Sequence, residues 1–132
     1  MLDMIETKTK TGAITMAVPV VWIANSAGHP YYKVLQLIPD AEIKPLTLDD
    51  ANPLEVDRLC WHIARGIANY CSKSDYLLIS GTPMVNAACF SLWLLHFGEC
   101  NLIQWNASTR KYEKRFIELE NLKRILEEQM TR

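Results

Sequence analysis

The stretch "SGTPMVN" (80–86) gathers side chains of chemical use where the pattern of the chain changes. Ser80, Gly81 and Thr82 follow the apolar run "DYLLIS", and Pro83 opens a helical pattern, so a strand turns abruptly into a helix N-terminus. Glycine lets backbone approach a ligand closely. The first N–H groups of a helix have no intrahelical acceptor, so such a turn suits a phosphate or carboxylate. Asn86 lies one turn into an otherwise apolar helix, on about the same face as Thr82, where a buried amide needs a partner. A second turn, "NSAGHPYY" (25–32), has the same character and runs toward Lys33. The candidate ligand-binding residues are therefore Asn25, Ser26, Gly28, His29, Ser80, Gly81, Thr82 and Asn86. The groups available for catalysis are His29, Lys33, Ser80 and Thr82. An RNA-type linkage carries its own 2′-OH nucleophile, so these groups need only hold it in line and stabilise the leaving oxygen.

A plainer reading stands beside this one, because strand-to-helix turns use Gly, Ser, Thr and Pro simply to make the turn. Neither stretch is a G-x-x-x-x-G-K-[ST] or G-x-G-x-x-G motif, so an ATPase or a dinucleotide-dependent dehydrogenase has no specific support. There is no G-x-S-x-G elbow, no metal-ligand spacing and no acid pair, since Asp49 and Asp50 precede a helix away from the two turns. No metal and no cofactor are expected. His62 and His96 fall in helices as structural or surface residues, and the four tryptophans read as core or interface mass. Arg110, Lys111, Lys114 and Arg115 read mostly as solvated.

The elements that must position these turns follow from periodicity. "VVWIA" (20–24) is a wholly apolar, β-rich run suited to a strand buried on both faces. A short helix opened by Pro30 must stop before Pro39, and "AEIKPLTL" (41–48) is a weaker strand that Pro45 places near an edge. Asn52 as N-cap, Pro53 at the first helical position and Glu55 reaching back predict a helix over 53–71, with Leu54, Leu59, Ile63 and Ile67 on its apolar stripe. Thr82, Pro83 and Gly98 bracket another, apolar nearly all round. "NLIQW" and "KYEKRFI", split by "NAST", predict a hairpin, and "ELENLKRILEEQM" an amphipathic last helix. This alternation predicts an α/β fold: one Rossmann-like three-layer domain spanning 1–132, with a mostly parallel sheet of order about 2-1-3-4, an antiparallel hairpin strand and a final helix. Residues 1–12 form a polar lead-in that pairs as an extra hairpin with "AITMAV". In that order the first and third core strands are neighbours whose connections leave to opposite faces, and a crevice opens at their carboxyl ends, lined by the two turns.

Composition narrows the partner. A net charge of −1 argues against general nucleic-acid coating, so an anion site must be local. Cys60, Cys71, Cys89 and Cys100 sit among apolar residues without C-x-x-C spacing, as reduced core residues of a cytoplasmic protein do. The apolar run 13–24 is too short to span a bilayer and lacks a basic n-region, so no membrane anchor or signal peptide is expected.

The layout from Val20 to Tyr112, with "SGTPMVN" followed by "FGECNLIQWNASTRKY", resembles the small stand-alone Rossmann-like domains of the CARF type. It is also similar to small phage proteins with a "GH-x-Y" loop and a "DYLLISG…N…FG…NL…W" core. The resemblance implies a homodimer whose paired strand ends bind a cyclic oligonucleotide messenger, sometimes cleaving it. Ser80, Gly81, Thr82 and Asn86 carry the match, with Asn25, Ser26 and His29 as the facing loop. The sequence shows no nuclease or DNA-binding effector segment beside this domain, which favours sequestration or degradation of a messenger in the host cytoplasm as a phage counter-defence.

Three expectations follow. The leading one is capture of a signalling, cyclic nucleotide. The second is a metal-independent ring nuclease. The third, of a different class, is an interaction module acting through the last helix, where Leu119, Leu122, Ile125 and Leu126 form a stripe. A two-fold homodimer is also expected, burying surplus apolar surface of the helix "MVNAACFSLWLLHF", Trp93 and Phe97 included.

Overall fold

In a computed structural model, described for residues 6–8, 14–16, 18–25, 31–47 and 54–131, the alternating elements build one five-stranded mixed sheet. A short hairpin comes first, β1 (Glu6–Lys8) with β2 (Ile14–Met16), antiparallel and outside that sheet. Then follow β3 (Val20–Asn25), α1 (Val34–Leu37), β4 (Glu42–Thr47), α2 (Val56–Tyr70), β5 (Tyr76–Leu78), α3 (Pro83–Phe97), β6 (Glu99–Asn106), β7 (Lys111–Glu118) and α4 (Leu119–Met130). The sheet order is β4-β3-β5-β6-β7, with β4, β3, β5 and β6 parallel and β7 returning antiparallel. This is the predicted order with its antiparallel edge, and Pro45 lies, as expected, on edge strand β4.

Side-chain alternation divides the core in two. Trp22, Ala24, Leu46, Leu77 and Leu102 point to one face, where Leu59, Ile63 and Ile67 of α2 and Val85, Cys89 and Trp93 of α3 cover them. Val21, Ile23, Leu78 and Ile103 point to the other face, covered by Tyr31, Val34 and Ile38 around α1. Helices on both faces of the sheet give three layers, the α1 layer a single turn thick. Because α1 follows β3 on one face and α3 follows β5 on the other, the switch point falls between these paired strands.

Three details depart from the sequence reading. Helix α2 starts at Val56 with Glu55 as its N-cap residue, so Leu54 precedes the helix and is exposed; Asn52 and Pro53 lie outside the described residues. Glu55 stands at the N-cap rather than at the third helical position, makes no side-chain cap bond, and accepts from Arg58, 3.3 Å away. Trp93 is fully buried in its own core, so α3 has little surplus to offer a partner: Leu95 is exposed and Phe97 half-buried. The tryptophans also divide, Trp22 and Trp93 into the core and Trp61 and Trp105 onto the surface.

Candidate functional site

The turn after β5 is held by its own asparagine. Asn86, 7% exposed, accepts from the Ser80 N–H (3.1 Å) and donates to the carbonyls of Ser80 (2.6 Å) and Thr82 (3.0 Å). The amide predicted to need a partner therefore finds three, all backbone, and fixes the curvature of 80–82. Gly81 occupies the left-handed region at φ +83, which favours glycine. Open space surrounds it: an added Cβ would meet nothing within 4 Å.

This geometry presents the start of α3. Thr82 is the N-cap residue, but its side chain makes no capping bond, and Pro83 has no N–H to satisfy. The Met84 and Val85 N–H groups find no acceptor among the described residues, because the first helical bond back to the turn is Asn86 N–H to the Thr82 carbonyl at 3.1 Å. No acidic side chain sits in the first turn to offset the positive end of this fifteen-residue helix. The arrangement offers an anion the Thr82 hydroxyl and the N–H of half-buried Met84, with the Val85 N–H behind them at a residue only 1% exposed.

The facing side comes from the chain after β3. The Tyr31 hydroxyl lies 3.1 Å from Ser80 Oγ, tying the start of the α1 segment to the β5 turn across the switch point. Lys33 extends over the Trp105 ring, 5.3 Å from its centre, and Trp105 meets Tyr112 edge-on at 5.0 Å. Burial, and then the neighbouring Tyr31, push the Tyr112 phenol above its ordinary range. Ser80, Tyr31, Tyr112, Trp105 and Lys33 thus form a continuous chain of contacts at one end of the sheet. Since α1 has only four residues, the helix field here is that of α3.

Among the predicted residues, the structure brings Ser80, Gly81, Thr82, Asn86 and Lys33 to this end of the sheet. The backbone of Asn25 closes β3, paired with Thr47, while Ser26, Gly28 and His29 lie outside the described residues. Tyr31, Trp105 and Tyr112 were not singled out from sequence as site residues. A signal for two of them existed: Trp105 and Tyr112 flank "NASTRK" symmetrically, and the hairpin register pairs them directly. Elsewhere, Arg110, Lys111, Lys114 and Arg115 are exposed, Lys114 lying 5.3 Å from the Tyr76 ring centre and Arg115 paired with Glu113. His96 stacks edge-on against Phe97, and His62 is exposed on α2. No helix among the described residues is long and apolar enough to cross a membrane, and no cluster among them has the makings of a metal site.

Fold and site together define a small α/β protein with a switch-point crevice built from polar turns, aromatic rings and one lysine. The sequence pattern of the phage Pam3 gp32-like protein family matches residues 16–119, and the chain belongs to that family of phage proteins. No curated protein and no solved structure matches it.

Proposed function

We propose that this phage protein captures a small signalling nucleotide, of the cyclic class, at the crevice between the carboxyl ends of β3 and β5. One observation carries the reading: the Tyr31–Ser80 contact brings the two turns together beside an α3 N-terminus whose Met84 and Val85 N–H groups lack acceptors among the described residues. In this reading a phosphate is held by those N–H groups and the Thr82 hydroxyl. A base lies against Trp105 and Tyr112, and Lys33 meets a second phosphate. The resemblance to CARF-type domains supports a messenger as ligand, and the phage family supports a counter-defence role in the host cytoplasm, by withdrawing that messenger. Asn86 acts in this reading through the turn it holds.

The test is incubation with a panel of cyclic di- to hexanucleotides, removal of free ligand, and mass spectrometry of what heat releases. One member retained by the wild-type protein and lost on Ser80→Trp supports the proposal. Retention of none by folded protein refutes it. A ligand released in linear form would instead identify the ring-nuclease variant, with His29, Lys33, Ser80 and Thr82 as the groups to replace.

A second reading is favoured by α4, which has no buried residue. Exposure of its apolar stripe rises from 37% at Leu122 through 63% at Leu126 to 80% at Met130, so the helix leaves the body as it proceeds. A twelve-residue helix is marginal by itself in water. The stripe therefore suits contact with another chain, a second copy of this one in the homodimer reading, with α4 rather than α3 supplying the surface.

A further inference from the structure

On the opposite side of the sheet from the α1 layer, a groove of about 300 Å³ opens between edge strand β4 and helix α2, lined by Trp22, Pro45, Leu46, His62, Arg65, Gly66 and Tyr70. At Gly66 an added Cβ would meet Leu46 Cδ2 at 3.7 Å, an ordinary contact, so the glycine leaves room between helix and strand that no side chain among the described residues fills. His62, Gly66 and Tyr70 recur at four-residue intervals, so one side of α2 faces the groove along two turns. A helix side that served only to pack on β4 would carry aliphatic residues. This one carries an imidazole, a phenol and, next to Gly66, a guanidinium.

Among the described residues, those three polar heads make no ion pair and no hydrogen bond. Arg65 and His62 make no ion pair among the described residues, the Arg65 guanidinium resting 5.7 Å from the Trp61 ring centre. The Tyr70 hydroxyl has no hydrogen-bond partner among them, and Tyr70 is 75% exposed. Among the described residues, no carboxylate lines the groove. The acid beside it, Glu42, pairs with Lys44 at 3.3 Å, and the Lys44 ammonium lies 5.9 Å from the Trp22 ring centre. The groove floor is also fixed in advance. Trp22 Nε1 donates to Asp75 Oδ2 at 2.9 Å, and the Ser72 N–H donates to the same oxygen at 2.9 Å, which locks the indole plane.

From this arrangement we propose a second ligand site: the β4–α2 groove binds a planar ring carrying an anionic group, of nucleoside monophosphate size. The ring lies along Tyr70 and the exposed margin of Trp22, and Arg65 and His62 take the phosphate. The volume, at the small end of ligand pockets, suits one such unit rather than an oligonucleotide. The site is separate from the switch-point crevice and stands independently of the proposal made there.

The probe is 5′-AMP, titrated calorimetrically into the full chain, with adenosine and ribose 5-phosphate as the ring-only and anion-only controls. One equivalent of AMP per chain should bind, at least tenfold tighter than either control. Arg65→Gln and Tyr70→Ala, both at exposed positions that leave the fold intact by circular dichroism, should each weaken AMP at least tenfold. Ser80→Trp, at the other site, should leave AMP binding unchanged. Absence of AMP binding at millimolar concentration overturns the proposal. So does equal binding of ribose 5-phosphate, affinity unmoved by both groove substitutions, or loss on Ser80→Trp. A failure of the crevice proposal shows separately, as a cyclic-nucleotide panel with no retained member.

Discussion

Replacing Asn86 with Ala removes the amide that holds the 80–82 turn, and the structure sets the size of the effect. Three hydrogen bonds disappear, but the groups left behind differ. The Thr82 carbonyl keeps its helical bond from the Asn86 N–H at 3.1 Å, whereas the Ser80 N–H and carbonyl, at 3.1 and 2.6 Å from the amide, lose their only partners among the described residues. Orphaning a buried polar group costs about 1–3 kcal/mol, and Ser80 is half-buried, so water recovers part of that; a loss of about 2–3 kcal/mol is expected. Asn69→Ala is the matched control: its amide donates to the Arg65 carbonyl at 2.8 Å on an exposed helix face, and its loss should stay within about 0.5 kcal/mol. Asn86→Asp adds a sign. A carboxylate there faces two carbonyl oxygens, which raises its folded-state pKa, so this variant should be more stable at acid pH and lose that gain as pH rises. Urea denaturation of the three variants at pH 7, and of the Asp variant from pH 4 to 7, measures all of this. An Asn86→Ala loss no larger than that of Asn69→Ala would refute the view that Asn86 builds the turn.

Burial pushes the thiols of Cys71, Cys89 and Cys100 up to about 12, with Asp75 and Cys89 adding to the effect at Cys71 and Cys60 at Cys89. Unfolded thiols ionise first, so stability from these groups is complete below about pH 9 and falls by up to about 1.4 kcal/mol per pH unit per thiol above it. A melting temperature that stays flat from pH 9 to 11 would contradict this. Asp75→Ala strands the buried Trp22 N–H and the Ser72 N–H, and chemical denaturation should show a loss of about 2–4 kcal/mol. Gly98, the left-handed C-cap of α3 at φ +77, should cost about 1–2 kcal/mol as Ala, measured by thermal melting. Leu126→Asp with Met130→Asp, the two most exposed positions of the stripe, should leave the melting temperature of the monomer unchanged and abolish dimers seen by sedimentation at micromolar concentration. A wild-type protein that sediments as a monomer there would remove the homodimer reading.

The sheet was legible because its signals are local and redundant. Short apolar runs between capped helices admit few connections, and "NAST" set the hairpin with the Asn106 carboxamide oxygen accepting from Ser108 and Thr109. The start of α2 was misplaced because Asn52, Pro53 and Glu55 satisfy the spacing of a cap while the helical backbone begins only at Val56, Glu55 pairing with Arg58 instead. Trp93 read as surplus because an all-apolar helix does not reveal which side the sheet takes. At the site, the sequence marked the β5 turn, whose residues are contiguous. It did not mark Tyr31 against Ser80 or Lys33 against Trp105, pairs separated by 49 and 72 positions that only the strand order brings together. Asn86 was legible as an amide in need of partners, and its partners turned out to be the turn itself.

The central claim, an anionic nucleotide at the α3 N-terminus, is tested most directly by backbone amide NMR during titration with the cyclic oligonucleotide panel. With one member of the panel, the amides of Gly81, Thr82, Met84 and Val85 should shift saturably and together, and the side-chain signals of Trp105 should follow. A folded protein whose Met84 and Val85 amides stay in place with every member, or whose shifts fall elsewhere in the chain, would contradict it.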